Sequence, residues 1–149
     1  MSNVVGLDKL LKTIDNLRID TNKYSVDANI AGGKLVESDA KRSIQKRSGG
    51  KVVTRYRNGG TPYNHQVSKA GEAPNTDTGK LVSRINSEVQ AGGVFVGTTV
   101  DYGKHQEFGT TDMSARPWLM PALNGRKDDI GKLQIGAVNK AIKGASHGV

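Results

Sequence analysis

Asp101-Tyr102-Gly103-Lys104-His105-Gln106-Glu107-Phe108-Gly109-Thr110, running on through Met113 to Ala115-Arg116-Pro117-Trp118-Leu119-Met120-Pro121-Ala122-Leu123, is the stretch on which the fold turns. It holds the single tryptophan and two of the four prolines. Asp101 is placed to cap a short helix by accepting backbone N–H bonds, and Gly109 suits a left-handed residue that ends it. Within that helix Tyr102, Gln106 and Phe108 are expected to lie near one another. A residue preceding proline is driven to extended geometry, so Arg116-Pro117 cannot prolong the helix. Pro121 has the fixed dihedral of a first helical turn, which leaves Trp118 and Leu119 on a stiff strap between two helices.

Upstream, Leu7, Leu10, Leu11, Ile14 and Leu17 recur at helical spacing opposite Asp8, Lys9, Lys12 and Asp15, the pattern of an amphipathic helix. Asp20-Thr21-Asn22 offers a break, after which a second helix is predicted over 23–45, or the two form one bent rod. Gly32-Gly33 inside it costs helix propensity, and close packing against a neighbour would be a reason to keep the pair. Residues 51–57 alternate with period two in β-prone types and predict a strand, whereas 58–76, rich in Gly, Pro, Asn and Ser, read as a long loop. Asp77 or Thr78 is expected to cap a short helix bearing Leu81, Val82 and Ile85. Strands over 87–90 and 94–98 flank the hairpin signal Ala91-Gly92-Gly93. Leu123, Ile130, Leu133, Ala137 and Ala141 mark a closing helix that ends near Lys143-Gly144, with a mobile tail over 144–149. The expected architecture is a single α+β domain over 1–149. Long N-terminal helices and a C-terminal helix pack on a small, mostly antiparallel sheet built from 51–57, 87–90 and 94–98, and residues 45–76 form a basic strand and extended loop arm.

Two separated motifs carry a family resemblance. Glu107-Phe108-Gly109-Thr110 followed by Met113, Ala115-Arg116-Pro117-Trp118-Leu119 and Pro121-Ala122-Leu123 is similar to a signature of the small tail-completion or head–tail joining (neck) proteins of long-tailed phages. Gly71-Glu72-Ala73-Pro74 with Asp77-Thr78-Gly79-Lys80-Leu81 resembles that family's upstream motif, in the same order and spacing. Ala73 stands where the family commonly has a proline, Gly103 where it often has alanine, and Trp118 where phenylalanine is common. The resemblance covers roughly residues 26–141. It implies a structural virion protein without catalytic residues, a connector at the head-proximal end of the tail or in the neck. The expected partners are further copies of itself in a ring, implied to be a hexamer, adjoining neck, stopper, tail-terminator or tail-tube proteins, and genomic DNA passing through the lumen. The expected location is the virion, and the host cytoplasm during assembly, with no membrane partner. Tyr102, Glu107, Phe108, Arg116, Pro117, Trp118 and Leu119 are the candidate subunit or core interface.

Charge supplies an independent indication. The net charge is +8, and eight basic residues between Ala40 and Gly71 face no acid in that segment: Lys41, Arg42, Lys46, Arg47, Lys51, Arg55, Arg57 and Lys69. The remaining 14 of the 22 basic residues match the 14 acidic ones, so a neutral body carries one positive segment. Such a segment either faces a polyanion or is a solvated loop. Lys51, Arg55 and Arg57 are the candidates for contact with channel DNA or a partner ring. The alternative function is a small basic module that binds nucleic acid without sequence preference. The chain has no helix-turn-helix or zinc pattern, however, and only 5% aromatic residues for base stacking.

Enzymatic and cofactor chemistry finds no support in the residues. The chain has no cysteine, so disulfides and thiolate metal sites are ruled out. His65, His105 and His147 share no metal-ligand spacing, and no metal or cofactor is expected. Gly144-Ala145-Ser146-His147-Gly148 matches the letters of a nucleophile elbow without room for triad partners downstream. Gly79-Lys80 lacks the Ser or Thr and the leading glycine of a phosphate loop. No apolar run approaches the roughly 18 residues of a membrane span, and the N-terminus lacks an export pattern. Glu107 and Arg116 form an ion pair that holds the strap to the short helix, within the chain or across a subunit boundary, or are two unrelated surface charges.

Overall fold

In the computed structural model the described residues are 6–91 and 93–147. The chain is 55% helix and 17% strand, an α+β fold. Helix α1 (Leu7–Gln45) is continuous for 39 residues, so of the two readings the single rod holds and the break offered at 20–22 is not used. The Thr21 hydroxyl donates back to the Leu17 carbonyl at 2.7 Å instead of starting a new helix.

A helix of this length needs a packed face, and α4 (Met120–His147) supplies it by lying antiparallel along α1. Arg126 grips Asp39 with two hydrogen bonds, at 2.6 and 3.2 Å, at one end of the contact. Gln134 joins Ser25 and Asn29 in the middle, and Lys140 lies over the Tyr24 ring, 4.7 Å from its centre. The glycine pair has the packing role anticipated for it. A Cβ on Gly32 would stand 3.1 Å from Ile130 of α4, and one on Gly33 would stand 2.5 Å from Val94. Helix α4 runs past Gly144 to His147, further than expected, and residues 148–149 of the anticipated tail lie outside the described residues.

Four strands form two separate two-stranded antiparallel sheets, not one. Strands β3 (Ile85–Gln90) and β4 (Gly93–Thr98) pair as expected, with Ile85 opposite Thr98 and Gln90 opposite Gly93; Gly92 of the hairpin signal lies outside the described residues. Strand β1 (Val52–Tyr56) pairs with β2 (Pro62–Gln66), which lies inside the stretch expected to be loop. Pro-Tyr-Asn-His-Gln has no β-branched residue and opens on a proline, so it gives no strand signal of its own. It is a strand because β1 provides the ladder, and Pro62 is tolerated at its first position. The connection turns through Gly59 and Gly60, both at positive φ (101° and 80°).

The helix α2 (Lys80–Ser83) begins after Gly79, and of the two expected caps it is Thr78 whose hydroxyl accepts the Lys80 N–H, at 3.4 Å, while Asp77 is engaged elsewhere. The core joins Val36, Ala40 and Ile44 of α1 to Leu81, Ile85, Val100, Trp118 and Ala122. Among the described residues, no helix is long and apolar enough to cross a membrane.

Candidate assembly site at the Trp118 strap and the basic hairpin

Helix α3 (Tyr102–Phe108) buries Gly103 and Glu107, one turn apart, against the strap. Trp118 is only 2% exposed, and its indole N–H donates to the Gly103 carbonyl at 3.2 Å. A Cβ on Gly103 would lie 2.5 Å from the Thr98 methyl. Glycine at 103 is therefore matched to the packing of β4. Asp101 makes no side-chain capping bond, contrary to expectation. Gly109 ends α3 at φ 77°, and a Cβ there would crowd the Met113 carbonyl at 2.7 Å, where Thr110 and Met113 bridge.

Glu107 does not pair with Arg116 within the chain. Its carboxylate accepts the backbone N–H groups of Trp118 (2.8 Å) and Leu119 (2.9 Å) at the end of the strap and of Met120 (2.9 Å), the first residue of α4. A buried carboxylate from α3 thus caps α4 and complements its dipole. Arg116 turns the other way. Its Nε donates to the Ser68 carbonyl at 3.3 Å, and its backbone N–H donates to the Gln106 carbonyl at 2.6 Å. Gly71 N–H donates to the Ala115 carbonyl at 2.9 Å, so the segment before β3 is stitched to the strap. Pro117 and Leu119 are partly buried, and Leu119 packs against the core. Phe108 is 77% exposed and stands apart from Tyr102 and Gln106, which line a common cleft.

That cleft has a volume of about 370 Å³ and includes Arg55, His65, Asp77 and Lys80. Asp77 is the centre of a polar cluster that sequence reasoning missed. It accepts from Arg55 (2.5 Å) and from the Tyr63 hydroxyl (2.9 Å), and His65 Nδ1 lies 3.5 Å away. Burial pushes the Asp77 carboxyl up, but the Tyr63 and Arg55 hydrogen bonds and the neighbouring positive charge outweigh it and hold the carboxyl below its ordinary value. The same hydrogen bond raises the Tyr63 hydroxyl. An adjoining cleft of about 270 Å³ is bordered by Ser68 and Gln106, whose Oγ and Oε1 are buried without a hydrogen-bond partner.

The cations of the basic segment are distributed unevenly. Lys41, Arg42 and Arg55 pair with Glu37, Asp39 and Asp77, all from outside the segment. Arg57 lies 5.3 Å from the centre of the Tyr63 ring. Among the described residues, no carboxylate pairs with Lys46, Arg47, Lys51, Arg57 or Lys69. Arg55 shares a hairpin face with Tyr63 and His65, and it is this face that turns toward Asp77. The opposite face, with Val52 and Tyr56 at 57% and 70% exposure, carries no charge.

No group of three or more His, Asp or Glu side chains among the described residues could hold a metal ion. The letters of the nucleophile elbow fall on helix through His147, whereas an elbow needs a strand-to-helix turn. No family model, curated protein or solved structure matches the chain.

Proposed function

We propose that the protein is a structural virion component, a ring-forming tail-completion or neck protein that joins head and tail around the DNA channel and carries out no catalytic step. The observation supporting this reading is that the two motifs carrying the resemblance make one structural unit. The Gly71 N–H binds Ala115 of the strap, and Leu81 and Trp118 share the core on either side of Gly103. The signature therefore describes a physical joint, one that fixes α4 and α3 against the body of the chain.

In this reading the neighbours are further copies of the chain and adjoining neck or tail proteins, and DNA in the lumen meets cations without base recognition. Size-exclusion chromatography with light scattering, followed by electron microscopy of the oligomer peak, tests the proposal. Closed rings are expected. A species that stays monomeric and binds DNA in a salt-sensitive manner would favour the second reading, a basic nucleic-acid-binding module, for which the five cations that have no carboxylate partner among the described residues speak.

A further inference from the structure

Asn58 stands at the tip of the basic hairpin, in the turn between β1 and β2, and Gly59 and Gly60 follow it. All three residues are exposed. Two backbone bonds close the turn around the pair. The Arg57 N–H donates to the Thr61 carbonyl at 3.0 Å, and the Gly60 N–H donates to the Arg57 carbonyl at 2.9 Å. Between them the Gly59 N–H has no acceptor among the described residues, and the Asn58 carboxamide has no hydrogen-bond partner there. Gly59 is at φ 101°, and nothing lies within 4 Å of where its Cβ would be. Its backbone nitrogen is therefore open to attack on the carboxamide that precedes it.

No other asparagine among the described residues is placed this way. Asn16, Asn22 and Asn29 lie in α1, and Asn124 and Asn139 in α4, where the N–H that follows each is committed to the helix ladder. Asn64 and Asn86 lie in β2 and β3. Asn75 is outside these elements, but its amide is held by the Ser48 N–H at 2.7 Å and by the Ser48 and Gln66 carbonyls at 2.9 and 2.8 Å. Asn124 supplies the contrast, since Gly125 follows it and the same Asn-Gly pair there sits inside a helix.

We propose that Asn58 is a self-modification site, at which the side-chain amide is lost and the basic hairpin gains a carboxylate as the chain ages. The Gly59 nitrogen gives up its proton and bonds to Asn58 Cγ. The Cγ–Nδ2 bond breaks, and Nδ2 leaves as ammonia with that proton, which leaves a cyclic imide. Water then opens the ring. Addition at Cγ gives aspartate, and addition at the main-chain carbonyl gives isoaspartate, in which the chain runs through Cγ. Nothing is oxidised or reduced. Either product sets a negative charge beside Arg57, in a segment with eight basic residues and no acid, and so weakens the pull of the hairpin on a polyanion. The inference stands apart from the ring reading and holds whichever partner the hairpin meets.

The test ages the whole chain over days in neutral and in mildly alkaline buffer and compares tryptic digests with a zero-time sample by tandem mass spectrometry. Cleavage after Arg57 and Lys69 isolates the peptide 58–69. Asn58 should become a mixture of aspartate and isoaspartate, faster at the higher pH because the attacking nitrogen must lose its proton. It should convert at least about tenfold faster than Asn124, whose neighbouring nitrogen is released only when α4 opens locally. In urea that unfolds the chain, the two Asn-Gly pairs should convert at similar rates. Aged wild type should gain an earlier peak on a cation exchanger, at the position of Asn58→Asp, and Asn58→Gln should not. An Asn58 that keeps its amide in the folded chain would overturn the proposal. So would an Asn124 that converts as fast as Asn58 when folded, or that stays slow when unfolded, because the contrast would then not come from the structure.

Discussion

Glu107→Ala is the substitution that bears most directly on the architecture. Glu107 sits in the last turn of α3, where an acid is unfavourable to its own helix, and it is 6% exposed. Its energetic role must therefore lie with the strap and the start of α4, whose Trp118, Leu119 and Met120 N–H groups it accepts. Removing the carboxylate strands the buried Trp118 donor and leaves those of Leu119 and Met120 partly buried. Each buried donor left unsatisfied costs about 1–3 kcal/mol, and loss of the charge at the helix start adds about 0.3–1 kcal/mol. Water reaching Met120 recovers part of this, so the net expectation is about 3–5 kcal/mol, a large share of the ~5–15 kcal/mol that stabilises a typical domain. At ~2–4 °C per kcal/mol for a chain of this size, the melting temperature should fall by roughly 6–20 °C. Glu107→Gln keeps the shape but replaces one acceptor with a donor facing a donor, and should lose about half as much. Trp118, the only tryptophan, reports the transition by fluorescence in urea. A Glu107→Ala protein within about 0.5 kcal/mol of wild type would refute the cap as the joint between α3 and α4.

Trp118→Ala should cost about 3–5 kcal/mol, measured by urea denaturation followed by circular dichroism, because it empties a site that the core cluster cannot refill. Gly33→Ala should destabilise despite its better helix propensity, since Val94 must move; Gly136→Ala, with open space around it, should stabilise by up to about 1 kcal/mol, and equal effects at the two positions would count against the close-packing argument. Glu37, Asp39 and Asp77 all have lowered carboxyl values, Glu37 chiefly through Lys41, Asp39 chiefly through Arg126, and Asp77 through bonds that overcome its burial. Their contribution is fully present above the unfolded carboxylate range of about 4 and is lost as pH falls through the lowered folded values. The melting temperature should therefore hold from about pH 7 to 5 and drop below about 4, with a shallower acid slope in Asp77→Asn than in wild type.

What the sequence made legible was local. Pro121 near the start of α4, Gly109 at the end of α3, the turn between β3 and β4 and the tight fit of Gly32-Gly33 each follow from the dihedral or steric needs of a few adjacent residues. Trp118 was readable as an anchor because a lone large aromatic between two prolines has little use except packing. The features that stayed hidden are those decided at a distance. Glu107 looks like a poorly placed acid until α4 is folded against it. Asp77 looks like a cap for α2 until the hairpin brings Arg55, Tyr63 and His65 to it. Strand β2 has no pattern of its own, and Thr21 reads as a helix break until α4 holds α1 together on both sides of it. Glu107 and Arg116 do not pair within the chain for a similar reason: each side chain satisfies backbone groups of a different segment.

The distribution of charge bears on how such a chain could form a ring at all. Eight basic residues in one segment would repel one another if equivalent copies met through that segment. The structure separates the two kinds of surface along α1. Its 39 residues at 1.5 Å each set the apolar end near Leu7 about 58 Å from Lys46 and Arg47 at the other end. Three of the eight cations are already neutralised by Glu37, Asp39 and Asp77, and Arg57 is shielded on Tyr63. The excess that remains sits at Lys46, Arg47, Lys51 and Lys69, around the base of the hairpin and the C-terminal end of α1, where positive charge also complements the helix dipole. Any contact a ring makes through the apolar end lies many screening lengths from those cations at physiological salt. The basic end is left to something negative, DNA or an acidic partner surface. Within it the paired Arg55 contributes least, and Lys51 and Arg57 have to do so from a hairpin face that turns toward Asp77.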